Sequence, residues 1–328
     1  MAVPYAISGV TGDGTELNPY QVTNMTQLFE CCAVTDAYIL LVNDIRCSRD
    51  SIYRNIVNKT LVINCAKLYS TGTRKVIYGW SCEPELITDD SIKTMCCIRN
   101  TAQNTIINNI SFTGCIIKSP NTVGIGTAYE SLFVFSQTCN IENCNFSFFI
   151  DYTYDSSVTT DNAISYIYGG NFKESYIYIT ASLPQKGIGG YGDLGFKPTS
   201  ADRCFVYCDG LYFATSQNGY SIFENFSNST IICENIYFRI YGSYNGNEMN
   251  LFTYNSSRCV WSFDGDAYGS MYDKIHHYSN DPQALYINIT THFSDPNVWN
   301  YSRLGTCVVE SKDLLKNPDV LKSCGIIV

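Results

Sequence analysis

The chain has 328 residues, a formal net charge of −9 and only 16% charged residues. A nucleic-acid-binding protein needs a basic stripe to neutralise phosphates, so this charge balance excludes nucleic acid as a partner. No run of residues approaches the ~20 apolar positions of a transmembrane helix, and we expect no membrane partner. A chain of this length can bury a large core, either as one elongated domain or as two.

The start of the chain predicts a strand followed by a short helix. Residues 12–22 combine turn residues with the strand-like run Tyr-Gln-Val. Asn24 is a typical helix N-cap residue, and the apolar Met25 and Leu28 follow it at helical spacing. A strand and an amphipathic helix at this position would cover the open end of a solenoid. We therefore predict an N-terminal cap over residues 1–35.

Short segments with alternating apolar residues recur along the middle of the chain. Residues 109–112 (Asn-Ile-Ser-Phe) and 143–146 (Asn-Cys-Asn-Phe) are two copies of one type. A second type lies between such copies, at 132–135, 204–207, 221–223 and 250–254. Alternation over so few residues indicates short strands with one buried face, and only a stack of them can bury that face. The pattern predicts the rungs of a solenoid, with an ordinary antiparallel sandwich as the alternative.

A family resemblance rests on the opening and on these rungs. The string Gly-x-Gly-Thr-x-x-Asn-Pro-Tyr-x-Val at 12–22 resembles the start of many phage-encoded and bacterial-surface right-handed parallel β-helix proteins. The rungs at 109–112 and 143–146 are similar to pectate-lyase-like coils. The resemblance covers about two thirds of the chain, and it is specific for fold but not for function, because this fold carries many activities.

The resemblance implies an all-β fold, a right-handed parallel β-helix with short helical caps at both ends. After the N-terminal cap, we predict β-helix rungs over residues 36–263. Residues 181–200 are rich in Gly and contain Pro, which predicts a loop inserted between rungs. Residues 264–328 are then the last rungs and a C-terminal cap.

The 16 cysteines indicate buried thiols. Residues 1–5 lack the basic and apolar regions of a secretory signal, and a chain of this size does not need disulfides. Most cysteines alternate with apolar residues on the strand patterns, where they behave as small hydrophobes. The sequence has no CxxC and no Cys/His spacing typical of a zinc site. We therefore predict reduced, structural cysteines, with no metal and no cofactor.

Two aspartates are the candidates for catalysis. Asp264 and Asp266 flank Gly265 in what the sequence predicts to be an irregular loop. A turn of this kind can present two carboxylates, as a glycosidase requires, or it can bind Ca²⁺. The alternative is a solvated turn, and no motif around it resembles the active site of a polygalacturonase or a pectate lyase.

Tyrosine is abundant, with 26 residues in the chain. Exposed tyrosine rings stack on sugars or line interfaces, but tyrosine is also a favoured strand residue. Tyr152 and Tyr154 lie at a polar, tyrosine-rich segment, and Tyr191 lies in the Gly-rich segment. We take these three tyrosines as candidates for glycan binding.

The resemblance implies a place on a virion, after synthesis in the cytoplasm of a bacterial host. Our first hypothesis is a non-enzymatic phage structural protein, either a capsid decoration or a tail or baseplate accessory subunit. Its expected partners are other virion proteins and a bacterial surface glycan, and homotrimers are common among such proteins. The alternatives are a polysaccharide hydrolase or lyase that uses Asp264 and Asp266, and a glycan-binding adhesin without catalysis.

Overall fold

The computed structural model describes residues 7, 9–47, 60–82, 85–89, 92–118, 129–152, 164–181, 195–215, 223–240, 253–269 and 286–293. These residues form a three-sided β-solenoid whose coils stack through parallel strand pairs. The predicted all-β parallel solenoid is therefore confirmed, and the antiparallel sandwich is wrong.

The described part of the chain contains a short helix near its start and many short strands. The helix is α1 (Met25–Cys32). The strands are β1 (Tyr20–Val22), β2 (Tyr38–Leu41), β3 (Ile45–Arg46), β4 (Leu61–Val62), β5 (Lys67–Ser70), β6 (Lys75–Cys82), β7 (Glu85–Asp89), β8 (Ile92–Cys96), β9 (Ile98–Arg99), β10 (Ile106–Asn108), β11 (Ile110–Lys118), β12 (Tyr129–Val134), β13 (Asn140–Glu142), β14 (Asn145–Tyr152), β15 (Ile164–Tyr168), β16 (Asn171–Lys173), β17 (Tyr176–Ala181), β18 (Gly195–Lys197), β19 (Ser200–Asp202), β20 (Phe205–Asp209), β21 (Tyr212–Thr215), β22 (Phe223–Glu224), β23 (Phe226–Ser227), β24 (Thr230–Ile240), β25 (Thr253–Tyr254), β26 (Val260–Gly269) and β27 (Tyr286–Phe293).

The strands form three sheets, and the chain visits them in a fixed order. Sheet A has the order β1-β2-β5-β10-β13-β16-β19-β23. Sheet B has the order β3-β6-β11-β14-β17-β20-β24-β26-β27, with β21 also on β24. Sheet C has the order β7-β8-β12-β15-β18-β22-β25, and β9 joins β4 to β12. Pairing between these strands is parallel except for β7 with β8, which pair antiparallel.

In-register stacking of the coils builds an aromatic core. Phe112 pairs in register with Phe146, and their rings stack with centroids 5.3 Å apart. A second row runs from Tyr166 through Phe196 to Phe223, with centroid distances of 5.2 and 5.0 Å. Each such ring pair contributes about 0.5–1.5 kcal/mol beyond the burial of its area. The alternation of apolar residues in the sequence is therefore the alternation between this core and the outer surface.

The turn from sheet A to sheet B uses residues in the left-handed region. Asn109 (φ 59°) follows β10 and Asn143 (φ 52°) follows β13. Asparagine tolerates this conformation better than most residues, because its short polar side chain bonds locally. Later coils place Glu174, Arg203, Asn228 and Arg258 at the equivalent position. We call these residues the A–B corner.

From Asn143 onward, each residue of the A–B corner is followed by a small buried residue, and these small residues are alternately cysteine and serine. The order along the stack is Cys144, Ser175, Cys204, Ser229 and Cys259. The Ser229 hydroxyl accepts from the backbone N–H of Cys204 at 3.0 Å and donates to the carbonyl of Ser227 at 2.7 Å. Serine and cysteine thus fill one column of the core in neighbouring coils.

The first coil is closed by the predicted strand and helix. The Asn24 side chain accepts from the backbone N–H of Gln27 at 3.0 Å, which confirms the predicted N-cap. Met25 and Leu28 are buried against the core, as the helical spacing predicted. The predicted C-terminal cap lies largely outside the described residues, since residues 294–328 are not among them.

The cysteines whose side chains the structure describes are free thiols, and all but Cys115 are buried. This finding confirms the prediction of reduced, buried cysteines for those positions. Cys31 and Cys32 lie in the last turn of α1, and both are buried. Burial raises the pKa of the Cys204 thiol to about 12.

Two other predictions need correction. The sequence indicated two alternating strand types, whereas the chain has three sheets, and residues 204–207 enter sheet B like 109–112. Residues 195–197 and 200–202 form β18 and β19, so the last part of the segment predicted as a loop over 181–200 contains strand. Gly195 was read as a loop residue, but it is the first residue of β18 and has a positive φ of 68°, which glycine adopts without strain. Residues 182–194 lie outside the described residues.

Candidate ligand-binding site

The outer face of sheet B carries a set of neighbouring aromatic residues. Ile177 and Ile179 of β17 are buried in the core, so the alternating Tyr176 and Tyr178 project from the opposite face. Tyr178 is 44% exposed. In the next coil, Phe205 pairs in register with Tyr176, and Tyr207 pairs with Tyr178. The sequence therefore brings four aromatic side chains onto one outer surface.

The packing of these rings fixes their orientation. The rings of Tyr178 and Tyr207 stack with centroids 4.9 Å apart and an interplanar angle of 9°. The Tyr207 hydroxyl donates to Glu234 Oε2 at 2.7 Å, and Tyr207 also packs against the buried Ile232 and Val260. Burial and this bond to a carboxylate raise the pKa of Tyr207 well above its usual range, so its hydroxyl stays protonated. The exposed Tyr178 ring thus rests on an anchored neighbour.

Arg74 lies beside this aromatic surface, directly before β6. Its Nη2 donates to Asn143 Oδ1 at the A–B corner. Its guanidinium carbon lies 5.8 Å from the centroid of the Tyr176 ring, within the range of a cation–π interaction. The buried Nε has no hydrogen-bond partner among the described residues. Arg74 is therefore held by a neutral amide and an aromatic face.

These side chains line a shallow groove with a volume of about 420 Å³ on the outer face of sheet B. We call it the sheet B groove, and its lining residues are Arg74, Asn145, Ser147, Tyr176, Ile177, Tyr178 and Phe205. The volume is within the usual range of small-molecule sites. The lining combines aromatic faces with an amide, a hydroxyl and one cation. This composition suits a ligand with apolar ring faces and hydroxyl groups at its edges, which is the chemistry of a saccharide.

The structure places the predicted aspartates in a strand. Asp264 and Asp266 lie in β26, so the predicted loop is wrong. The reason is that β26 pairs with β24 on one side and with β27 on the other. This pairing continues through Gly265, so the backbone groups around it form strand hydrogen bonds. Asp266 is in register with His292 of β27. The catalytic role that the sequence suggested for the two aspartates stays a prediction.

Of the three predicted glycan-binding tyrosines, Tyr152 alone belongs to the described residues, and the binding role of all three stays a prediction. Tyr152 is the last residue of β14, paired in register with Lys118. Tyr154 and Tyr191 lie outside the described residues. The signal that would have found the groove is the run at 175–179, where tyrosine alternates with isoleucine. When the isoleucines of such a run face the core, the alternating tyrosines face outward, where they are available to a ligand.

No protein-family model matches the chain, and neither a curated protein nor a solved structure matches it. The fold and the groove therefore define its class as a three-sided parallel β-solenoid with an aromatic outer surface. Within the described ranges, no helix has the length and apolar character needed to cross a membrane. The same residues contain no cluster of His, Cys, Asp or Glu that would hold a metal ion.

Proposed function

We propose that the protein is a non-enzymatic β-solenoid displayed on a bacteriophage particle, as a capsid decoration or as a tail or baseplate accessory subunit. In this proposal the sheet B groove contacts a glycan on the bacterial surface. The observation that carries the binding role is the stacked pair of Tyr178 and Tyr207 beside Arg74. The resemblance of the N-terminal cap and rungs to phage β-helix proteins supports the place on the virion.

An anchored aromatic surface suits weak, repeated contacts with a polysaccharide. Tyrosine offers a large amphipathic area and loses little conformational freedom when a ligand binds. In the sheet B groove that freedom is already restricted, because Tyr178 stacks on Tyr207 and Tyr176 lies under Arg74. The cost of ordering these side chains is therefore met in the folded protein, before any ligand arrives.

A stack of coils also suits a protein that stands on a particle. Backbone hydrogen bonds connect every coil to its neighbours, as between Cys204 and Thr230 or Asn171 and Cys139. Solenoids of this kind are elongated and present long lateral faces. One lateral face can carry the groove while another contacts the particle.

The experiment is a binding assay between the purified chain and surface polysaccharide extracted from the bacterium that the phage infects. We expect binding by the wild type and a loss of about three- to tenfold in Tyr178→Ala, from the loss of one ring contact. Tyr78→Ala is the matched control, because Tyr78 is a similarly exposed tyrosine of sheet B that does not line the groove. Equal binding by both variants, or no binding by the wild type, would contradict the proposed role.

A further inference from the structure

We infer that the sheet B groove selects saccharides that carry an anionic group next to a ring stacked on Tyr178, and that Arg74 binds this anion. The inference rests on the proposed glycan-binding role and names the ligand class for the same groove. The ligand that we propose carries an anion on a sugar ring. This anion is either the carboxylate of a uronic acid or an ester group, which is a sulphate or a phosphate.

Arg74 differs from other basic residues near the A–B corner in its partners. Arg203 pairs with Glu174 at 2.9 Å and with Asp202 at 3.0 Å, and Lys173 pairs with Glu142 at 2.9 Å. Arg74 has no carboxylate within ion-pair distance in the part of the chain that the structure describes. Its contacts are the neutral Asn143 side chain and the Tyr176 ring. No carboxylate among the described residues therefore neutralises its positive charge.

The lining of the sheet B groove contains a single charged side chain. Arg74 is the one charged residue among the seven that line it, although the whole chain has a net charge of −9. A neutral saccharide needs only the aromatic, amide and hydroxyl groups that are already present. A cation that lines such a groove and has no carboxylate partner among the described residues favours a ligand of opposite charge, which gains a charge-assisted hydrogen bond.

The guanidinium of Arg74 has hydrogen-bonding capacity for an anion. It has five N–H donors in a planar fork that matches carboxylate and sulphate oxygens. Nη2 bonds to Asn143, while the buried Nε has no partner among the described residues. A small shift of the side chain toward a bound anion therefore breaks no hydrogen bond at Nε. The contact with Tyr176 keeps the guanidinium near the ring on which a neighbouring sugar would stack.

The experiment measures the binding of three tetrasaccharides by isothermal titration calorimetry. The first is built from glucuronic acid, the second is the methyl ester of the first, and the third is built from glucose that carries sulphate esters. We expect the wild type to bind at least one acidic form at least tenfold more tightly than the methyl ester. Arg74→Gln should weaken that binding roughly 10- to 100-fold, because it removes a charged hydrogen bond. Whichever of the two acidic tetrasaccharides binds more tightly shows whether the groove prefers a carboxylate or a sulphate ester. Added salt should weaken the acidic ligand more than the ester.

Two further variants keep the test decisive. Arg74→Lys preserves the charge but not the fork, so it should bind between the wild type and Arg74→Gln. Arg46→Gln removes an exposed charge of sheet B away from the groove and should leave binding unchanged. Equal affinity of the wild type for the acid and for the methyl ester overturns the anion preference but leaves saccharide binding intact. If none of the three tetrasaccharides binds, the proposed glycan-binding role fails as well.

Discussion

Asn143 donates a hydrogen bond from its Nδ2 to Oδ1 of Asn109, one coil earlier, at 2.9 Å. Both residues have left-handed backbone conformations, and both lie at the A–B corner. Asn109 in turn donates to the Ser70 hydroxyl at 3.0 Å and to the Gly72 carbonyl at 3.1 Å. Asn143 also accepts from Arg74, so the side chains that join the coils also position the cation of the sheet B groove.

The corner amide has a measurable role in stability. Asn143→Ala removes the bonds to Asn109 and Arg74 and forces alanine into a left-handed conformation that costs about 1–2 kcal/mol. With about 1 kcal/mol for a lost hydrogen bond, we expect a total loss of about 3 kcal/mol in the free energy of unfolding. Asn143→Gly keeps the backbone conformation accessible, so it should lose roughly 1 kcal/mol less. Urea denaturation measures both; equal losses would mean that the left-handed backbone contributes nothing.

Two glycines separate backbone strain from steric overlap. Gly169 and Gly72 both have positive φ angles, 75° and 67°. A Cβ at Gly169 would lie 2.0 Å from the Phe135 carbonyl oxygen, whereas a Cβ at Gly72 meets nothing within 4 Å. We expect Gly72→Ala to cost about 1–2 kcal/mol and Gly169→Ala to cost a further 1–3 kcal/mol, since neighbouring backbone must move. Thermal unfolding of the two variants tests this order, and a less stable Gly72→Ala would refute the register of that coil.

The buried thiols predict a loss of stability in alkali. Burial raises the pKa of Cys204 from 9.0 to about 12, so the folded state keeps its proton at pH values where the unfolded thiol ionises. Its stabilising contribution is complete below about pH 9 and is lost as the pH rises from there toward 12. Each such thiol steepens the fall by up to ~1.4 kcal/mol per pH unit.

The variant that checks this is Cys204→Ser, because Ser175 and Ser229 already occupy the same core column. The free energy of unfolding, measured by denaturation from pH 7 to 10.5, should fall less steeply above pH 9 than in the wild type. Cys47→Ser should reduce the slope by a similar amount, since burial raises the pKa of Cys47 to about 11, which also lies above this pH range. An unchanged slope in Cys204→Ser would show that this thiol does not govern the alkaline sensitivity.

The enzymatic alternative makes an opposite prediction about polysaccharide integrity. Our account expects wild-type protein to leave bound polysaccharide at full length, as size-exclusion chromatography of the products would show. If Asp264 and Asp266 act as acid and nucleophile or base, the wild type shortens the polymer. Asp264→Asn and Asp266→Asn would then abolish cleavage while binding persists. Cleavage with that mutational pattern would replace the proposal of a non-enzymatic protein.

Much of the fold could be predicted because stacking repeats local patterns. Asn24 with Met25 and Leu28 predicted the capping helix, and the alternation around Phe112 and Phe146 predicted inward-facing strands. The number of sheets could not be predicted, because strands of sheets A, B and C share the same period of two. A residue in the left-handed conformation separates a strand of sheet A from the next strand of sheet B. Glu174 and Arg203 occupy this position, and neither residue type indicates a left-handed turn.

The groove was harder to predict than the fold. Tyr176 and Phe205 are 29 positions apart in the sequence, as are Tyr178 and Tyr207, but parallel pairing in register makes each pair neighbours. Arg74 lies 102 residues before Tyr176 in the sequence and reaches its ring across two coils of sheet B. Such a contact depends on register, which one sequence without a template does not specify. Asp264 and Asp266, in contrast, were chosen from local spacing, which did not reveal that both lie in a strand.

The most direct test of the account is an electron cryomicroscopy reconstruction of intact phage particles at a resolution that separates the coils. We predict that the β-solenoid is found on the outside of the particle, on capsid or tail, with Tyr178 and Arg74 facing solvent. The reconstruction would contradict the account if particles lack the protein. It would also contradict the account if another virion protein covers the sheet B groove.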